Sequence, residues 1–474
     1  YYCPQLPFGG DEDYIWSLDG KKVLYVTKAK VGTDYVLSTN TDIYEYDLTS
    51  KKTTNLTEGM MGYDTNPQYS KEGVLAWLSM AHNGNESDKN DLYILKNGKR
   101  INLTAQWDNT IFSYRWSNDG KQIYLIAPTQ GTEQLFVVDV YSKNTNPRQL
   151  TQGVFDVNSI VGQAGDQLVV IRTDMNHAAE LYTINLKEKK KEYLSLTQLS
   201  HFNDEQYKQI AQCPIKERII KTTDGKDMHA WVIYPPDFDP NKKYPTLLYC
   251  QGGPQSIVSQ FYSFRWNFQL MTSQGYIVIA PNRRGLPGFG VEWNAQISGD
   301  WGGQPMRDYL SAIDDIAKEP YVDKDRLGAV GASYGGYSIY YLAGIHQKRF
   351  KTFIAHCGVF NLESMYGTTE ELFFNNNEIG GAYWEERNAV AQKSYKEFNP
   401  IKKINNWDTP ILIIHGGKDY RVPEEQGFQA FTAAQLKGIR SELLYFPDEN
   451  HWVLQPQNGL LWQRTFFKWL KETL

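Results

Sequence analysis

The chain has 474 residues, enough for two or three domains at roughly 150 residues each. Lys and Arg number 49 against 54 Asp and Glu, a net charge of −5 with no basic block, which sets nucleic-acid binding aside. Apolar runs such as 276–280 and 411–414 stop far short of the roughly 20 residues that cross a bilayer, so no membrane span is expected.

Four scattered cysteines (Cys3, Cys213, Cys250, Cys357) supply neither a disulfide framework nor a paired metal motif. The aromatic share, 14%, favours β-rich structure. Tyr1-Tyr2-Cys3-Pro4 holds neither an initiator Met nor an apolar signal, so the chain is expected to begin downstream of its gene's start.

A repeat follows. Leu-Thr closes a segment at Leu56-Thr57, Leu103-Thr104, Leu150-Thr151 and Leu196-Thr197, at spacings of 47, 47 and 46 residues. An alternating apolar run precedes each pair, at 42–48, 91–95, 134–138 and 180–184. Further upstream lie turns such as Ser17-Leu18-Asp19-Gly20 and Ser117-Asn118-Asp119-Gly120, the chemistry that joins antiparallel strands. Four equal units of several strands predict the blades of a β-propeller. Four unrelated hairpins of a sandwich would give no reason for equal spacing.

The pattern changes at 205–215. Short apolar strands then alternate with helical stretches, which predicts a mostly parallel sheet covered by helices. The strands fall at 230–234, 246–250, 276–280, 327–330, 352–356, 411–415 and 442–446. A closing helix carries Leu461, Trp462, Thr465, Phe466, Trp469 and Leu470 at helical spacing.

Gly331-Ala332-Ser333-Tyr334-Gly335 fits G-x-S-x-G between an apolar strand and a helical run, the context of a nucleophile elbow. No phosphate-cradling glycine motif can be read there. A serine hydroxyl needs a base, and hydrolases of this kind supply acid and base downstream, in the order Ser, Asp/Glu, His. Asp419 follows the strand at 411–415, and His451 follows the next one. Asp448, a rival acid, is expected to shape the loop, with capping or solvation its alternative role, and His415 to pack beside the Gly-Gly turn. His451 is expected to titrate near the ordinary value of about 6.5. Two donors should face the oxyanion: the Tyr334 backbone N–H and one from the turn Gln251-Gly252-Gly253-Pro254.

These residues, with Pro281-Asn282-Arg283-Arg284-Gly285, Gly288-Phe289-Gly290, Gly299-Asp300-Trp301-Gly302-Gly303, His415 to Asp419, Arg421-Val422-Pro423 and Asn450-His451, resemble the prolyl oligopeptidase family of serine peptidases. Within it the set is most similar to the dipeptidyl peptidase V and acylaminoacyl peptidase branches. The resemblance implies a propeller over 1–210, four visible blades of a truncated seven- or eight-bladed one, and an α/β-hydrolase catalytic domain over 211–474. Proline-specific branches carry a Tyr near the oxyanion turn where this chain has Gln251, which leaves the Gly253 N–H as the second donor.

By the same resemblance Arg421 would hold a substrate carbonyl, and Tyr334, Phe360, Tyr366 and Val422 would line a side-chain pocket, with core packing the alternative for each aromatic. Short unfolded peptides would be the substrates, with N-terminal dipeptides the product. Action on acylated peptides or esters is the alternative within the family, and a non-catalytic binding propeller the alternative outside it. Neither a cofactor nor a metal is implied. A homodimer is compatible with the family. Its bacterial members are often exported, which points to the periplasm and leaves the cytoplasm open.

Overall fold

The structure is a computed structural model that describes residues 2–4, 9–188 and 192–474. The chain forms two compact units. One comprises Tyr1–Asp174, Ala179–Phe202 and Pro287–Val291, the other Met175–Ala178, Asn203–Leu286 and Glu292–Leu474.

Among the described residues, the first unit holds four sheets of four antiparallel strands, each built from consecutive strands. Successive sheets bury apolar faces against one another. Leu24, Val26 and Ile43 meet Leu75 and Trp77, while Tyr124, Ile126 and Leu135 meet Val157, Leu168 and Val170. The predicted turns recur in atomic detail. Gly20 and Gly120 take positive φ values of 67° and 66°, and Asp19 and Asp119 each accept the hydroxyl of the serine two residues earlier at 2.7 Å.

The repeated threonine has a bonding reason. Its Oγ1 accepts the backbone N–H of the third strand, from Ile43 to Thr57 at 3.0 Å, from Leu92 to Thr104 at 2.9 Å and from Leu135 to Thr151 at 3.0 Å. The fourth sheet departs from expectation. There Ser200 accepts the Leu181 N–H at 2.8 Å, and Leu196-Thr197 instead lies within the strand Leu196–Gln198. The fourth repeat therefore closes at Leu199-Ser200, where a serine hydroxyl does the same bonding.

The second unit is built on an eight-stranded sheet, in the order Ile215–Lys221, Asp227–Ile233, Ile277–Pro281, Tyr244–Cys250, Val322–Ala332, Thr352–His356, Ile411–Gly416 and Ser441–Phe446. Asp227–Ile233 runs antiparallel to both neighbours, and the other pairs are parallel. Ile277–Pro281, Thr352–His356 and Ile411–Gly416 are buried at every residue, as strands covered on both faces must be. The helix Pro456–Thr473 turns Trp462, Phe466, Trp469 and Leu470 into that core. Sequence reasoning missed the edge strand Ile215–Lys221. It also missed three helices, Leu362–Thr368, Leu372–Ile379 and Ala389–Glu397, inserted between two parallel strands.

Candidate active site

Ser333 stands between the strand Val322–Ala332 and the helix Tyr334–Ala343 with φ 60° and ψ −122°. A non-glycine residue held there stores strain on the order of 1–3 kcal/mol. Two backbone bonds hold it: Ser333 N–H to the His356 carbonyl at 3.0 Å, and Tyr337 N–H to the Ser333 carbonyl at 2.9 Å. The flanking glycines are required by space. A Cβ on Gly335 would lie 2.0 Å from the Cys250 carbonyl oxygen, and one on Gly331 would lie 2.7 Å from the same atom.

The predicted acid and base meet. His451 Nδ1 lies 2.7 Å from Asp419 Oδ2, with both side chains buried. Asp419 Oδ1 is held by the backbone N–H groups of Arg421 at 3.1 Å and Val422 at 2.9 Å. Burial opposes charge on His451, yet the neighbouring Cys357 sulfur and the Asp419 carboxylate outweigh it and push the imidazole up to about 10. The ordinary value expected from sequence is thereby displaced upward. His415 is buried as expected, its Nε2 2.7 Å from the Val422 carbonyl, and burial lowers its pKa.

The base loop is shaped by a different residue from the one expected. Asp448 is exposed and pairs with Lys418 at 3.2 Å. Buried Glu449 instead accepts the backbone N–H groups of Leu454 at 2.9 Å and Gln455 at 3.1 Å, and the Asn458 amide at 2.8 Å. A carboxylate beside a catalytic histidine is a weak sequence signal, and its burial decides between the two neighbours.

The turn Gln251-Gly252-Gly253-Pro254, predicted to supply an oxyanion donor, lies against the elbow. A Cβ on Gly252 would stand 3.5 Å from Ser333 Cβ, and Gly253 takes φ 110°. Tyr334 opens its helix, where the first backbone N–H groups lack partners within the helix. Its ring does not line a pocket. It is 1% exposed, donates its hydroxyl to the Trp301 carbonyl at 2.8 Å and packs on Trp301 and Tyr337.

The remaining predicted residues fall in three surroundings. Arg421 donates from Nε to Glu371 Oε1 at 2.7 Å, with its guanidinium 5.0 Å from the Trp452 ring centre, while adjacent Val422 is buried. Tyr366 bonds Asn376 at 2.9 Å and meets the rings of Tyr383 and Trp384. Phe360 packs between Tyr340 and Trp407 in the interior. Glu371 escaped sequence reading because its partner lies 50 residues away.

A strained serine at the carboxyl edge of a parallel sheet, with a carboxylate-held histidine in the following loops, is the arrangement of a serine hydrolase of the α/β type. Comparison with known proteins narrows this. The Prolyl oligopeptidase family matches residues 262–474. The chain is 50% identical over its whole length to dipeptidyl-peptidase 5 of Porphyromonas gingivalis, covering 68% of that protein. It is 48% identical, at the same coverage, to dipeptidyl-peptidase 5 of Porphyromonas endodontalis. The solved acylaminoacyl peptidase of Pyrococcus horikoshii superposes with a TM-score of 0.84 at 20% identity, over 97% of this chain and 70% of that one. The chain belongs to the prolyl oligopeptidase family, with the propeller and hydrolase domains of that fold. Among the described residues, no helix is long and apolar enough to cross a membrane.

Proposed function

We propose that the chain is a serine peptidase that releases dipeptides from the free N-termini of short, unfolded peptides. The observations that carry this reading are the 2.7 Å contact between His451 Nδ1 and Asp419 Oδ2 and the strained backbone of Ser333. The similarity to two dipeptidyl peptidases over the whole chain supports the substrate class.

In the proposed mechanism Asp419 fixes the His451 tautomer so that Nε2 takes the Ser333 proton as Oγ attacks the scissile carbonyl. The backbone N–H groups of Tyr334 and Gly253 receive the oxyanion. Protonated His451 then releases the leaving amine, and water frees the dipeptide by the same base. Arg421 holds a carbonyl of the substrate, with Val422 and Tyr366 toward the residue before the cleaved bond. Residues 211–474 form the catalytic domain, and the sheets before them act as propeller blades that exclude folded proteins. An exported, periplasmic setting follows the family's bacterial members.

The test offers a set of peptides with free or acetylated N-termini and reads the products by mass spectrometry. Release of dipeptides from the free series alone supports the reading. Cleavage of the acetylated series at a similar rate overturns the specificity, and cleavage of neither overturns the activity.

A further inference from the structure

Cys357 follows the strand Thr352–His356, takes a left-handed φ of 42° and is fully buried. That turn brings its thiol to the far side of the candidate base. Cys357 Sγ lies 3.9 Å from His451 Nε2 and 3.7 Å from the His451 carbonyl oxygen. Resting on the reading of His451 as the base, we propose that Cys357 Sγ and His451 Nε2 together bind a soft divalent cation, Zn2+ or Cd2+, which inhibits the enzyme.

The separation fits such an ion. Zinc bonds of about 2.3 Å to sulfur and about 2.05 Å to nitrogen set the two donors roughly 3.5–3.6 Å apart at a tetrahedral angle, and about 3.9 Å apart at an angle on the order of 125°. The observed 3.9 Å therefore needs only modest opening of that angle and no movement of the backbone.

The histidine is also oriented as a metal ligand should be. With Nδ1 directed at Asp419 Oδ2, Nε2 is the ring nitrogen that faces Cys357 Sγ, and a carboxylate behind an imidazole is the usual support of a zinc-binding histidine. Donor atoms of Cys357, Asp419 and His451 all lie within 4.8 Å of one another. Asp419 acts as support here, because Oδ1 is taken by two backbone N–H groups and Oδ2 by Nδ1. Water would complete the coordination.

Thiolate with imidazole selects zinc or cadmium over magnesium and calcium. Binding requires a thiolate and a neutral imidazole, so the protons held on Cys357 Sγ and His451 Nε2 leave to solvent, and the ion occupies the lone pair that must accept the Ser333 proton. The same atom cannot do both, so the ion blocks catalysis without competing for the peptide's contacts.

The test uses the whole chain, stripped with a chelator, in calorimetric and activity titrations with Zn2+, Cd2+, Mg2+ and Ca2+. The wild type should bind one Zn2+ and lose activity in step, with recovery on chelation, while Mg2+ and Ca2+ have no effect. Cys357→Ala, measured against its own metal-free rate, should need at least tenfold more Zn2+ for half inhibition, and Cys357→Ser should agree with it. Unchanged zinc affinity in both variants, or no stoichiometric binding by the wild type, would overturn the site. Cysteine-dependent binding of one Zn2+ by a chain that cleaves no peptide would sustain the site and refute the peptidase.

Discussion

Arg283 donates from Nη1 to the Pro254 carbonyl at 2.9 Å and from Nη2 to the Gln251 carbonyl at 3.3 Å, so one buried guanidinium brackets the turn that carries Gly253. Its side chain is 0% exposed, and its charge rests on carbonyl oxygens, the Tyr309 hydroxyl at 3.0 Å and the face of Tyr334 at 4.5 Å. A planar fork of donors suits two carbonyls at once in a way that a lysine cannot reproduce.

Arg283→Lys is therefore expected to lower kcat by roughly 10²-fold, comparable to loss of one oxyanion donor, with a smaller change in KM. Steady-state kinetics on a free-amine dipeptidyl reporter check this, with circular dichroism to confirm that the variant is folded. An unchanged kcat would separate the guanidinium from the oxyanion turn.

Asp419→Asn keeps the shape of the carboxylate and removes its charge. The amide can present its N–H to Nδ1 and so favour the wrong tautomer of His451, for which a loss of about 10⁴-fold in kcat is expected. A variant within tenfold of wild type would mean that the 2.7 Å contact does not orient the base.

The pH profile follows from the direction of the His451 shift. The base works only when neutral, and its pKa is raised above the ordinary 6.5 to about 10 by Cys357 and Asp419 against the opposing effect of burial. The acidic limb of kcat/KM should accordingly lie above the ordinary histidine range, with activity still rising through alkaline pH. Cys357→Ala removes one source of the upward shift, so its limb should move toward lower pH. A limb at about 6.5 in the wild type, unmoved by the substitution, would remove the sulfur's influence.

Much of this was legible locally. The propeller repeat showed itself because each sheet needs a hydroxyl to receive an N–H of its third strand, and Thr57, Thr104 and Thr151 supply it at nearly constant spacing. The fourth unit misled because a coincidental Leu-Thr pair precedes Ser200, and a serine meets the same need. Ser333, Asp419 and His451 were readable as candidates because each follows a strand of the sheet, Val322–Ala332, Ile411–Gly416 and Ser441–Phe446 in turn.

Contacts between distant segments were not readable. Cys357 and His451 are 94 residues apart, and nothing near either residue announces the other. Arg283 stood out only within the run Pro281-Asn282-Arg283-Arg284-Gly285 that carries the family resemblance. Its role depends on a turn 29 residues earlier in the chain. Phe360 and the Tyr334 ring looked like pocket residues because aromatic type alone does not tell a lining side chain from a packed one.

Gly335→Ala tests the packing of the elbow apart from its chemistry. A methyl group 2.0 Å from a backbone oxygen cannot be relieved by a side-chain rotation, so the strand or the helix must shift. A loss of about 3 kcal/mol in stability is expected, at the upper end for an overpacked site. Denaturant titration reads it directly. A neutral substitution would mean that the elbow has room the geometry denies.

Labelling with a fluorophosphonate, followed by peptide mapping, addresses the nucleophile most directly. One adduct per chain on Ser333 is expected, lost in Ser333→Ala and slowed severely in Asp419→Asn. No adduct, or an adduct on another residue that persists in Ser333→Ala, would contradict the assignment of Ser333 as the nucleophile.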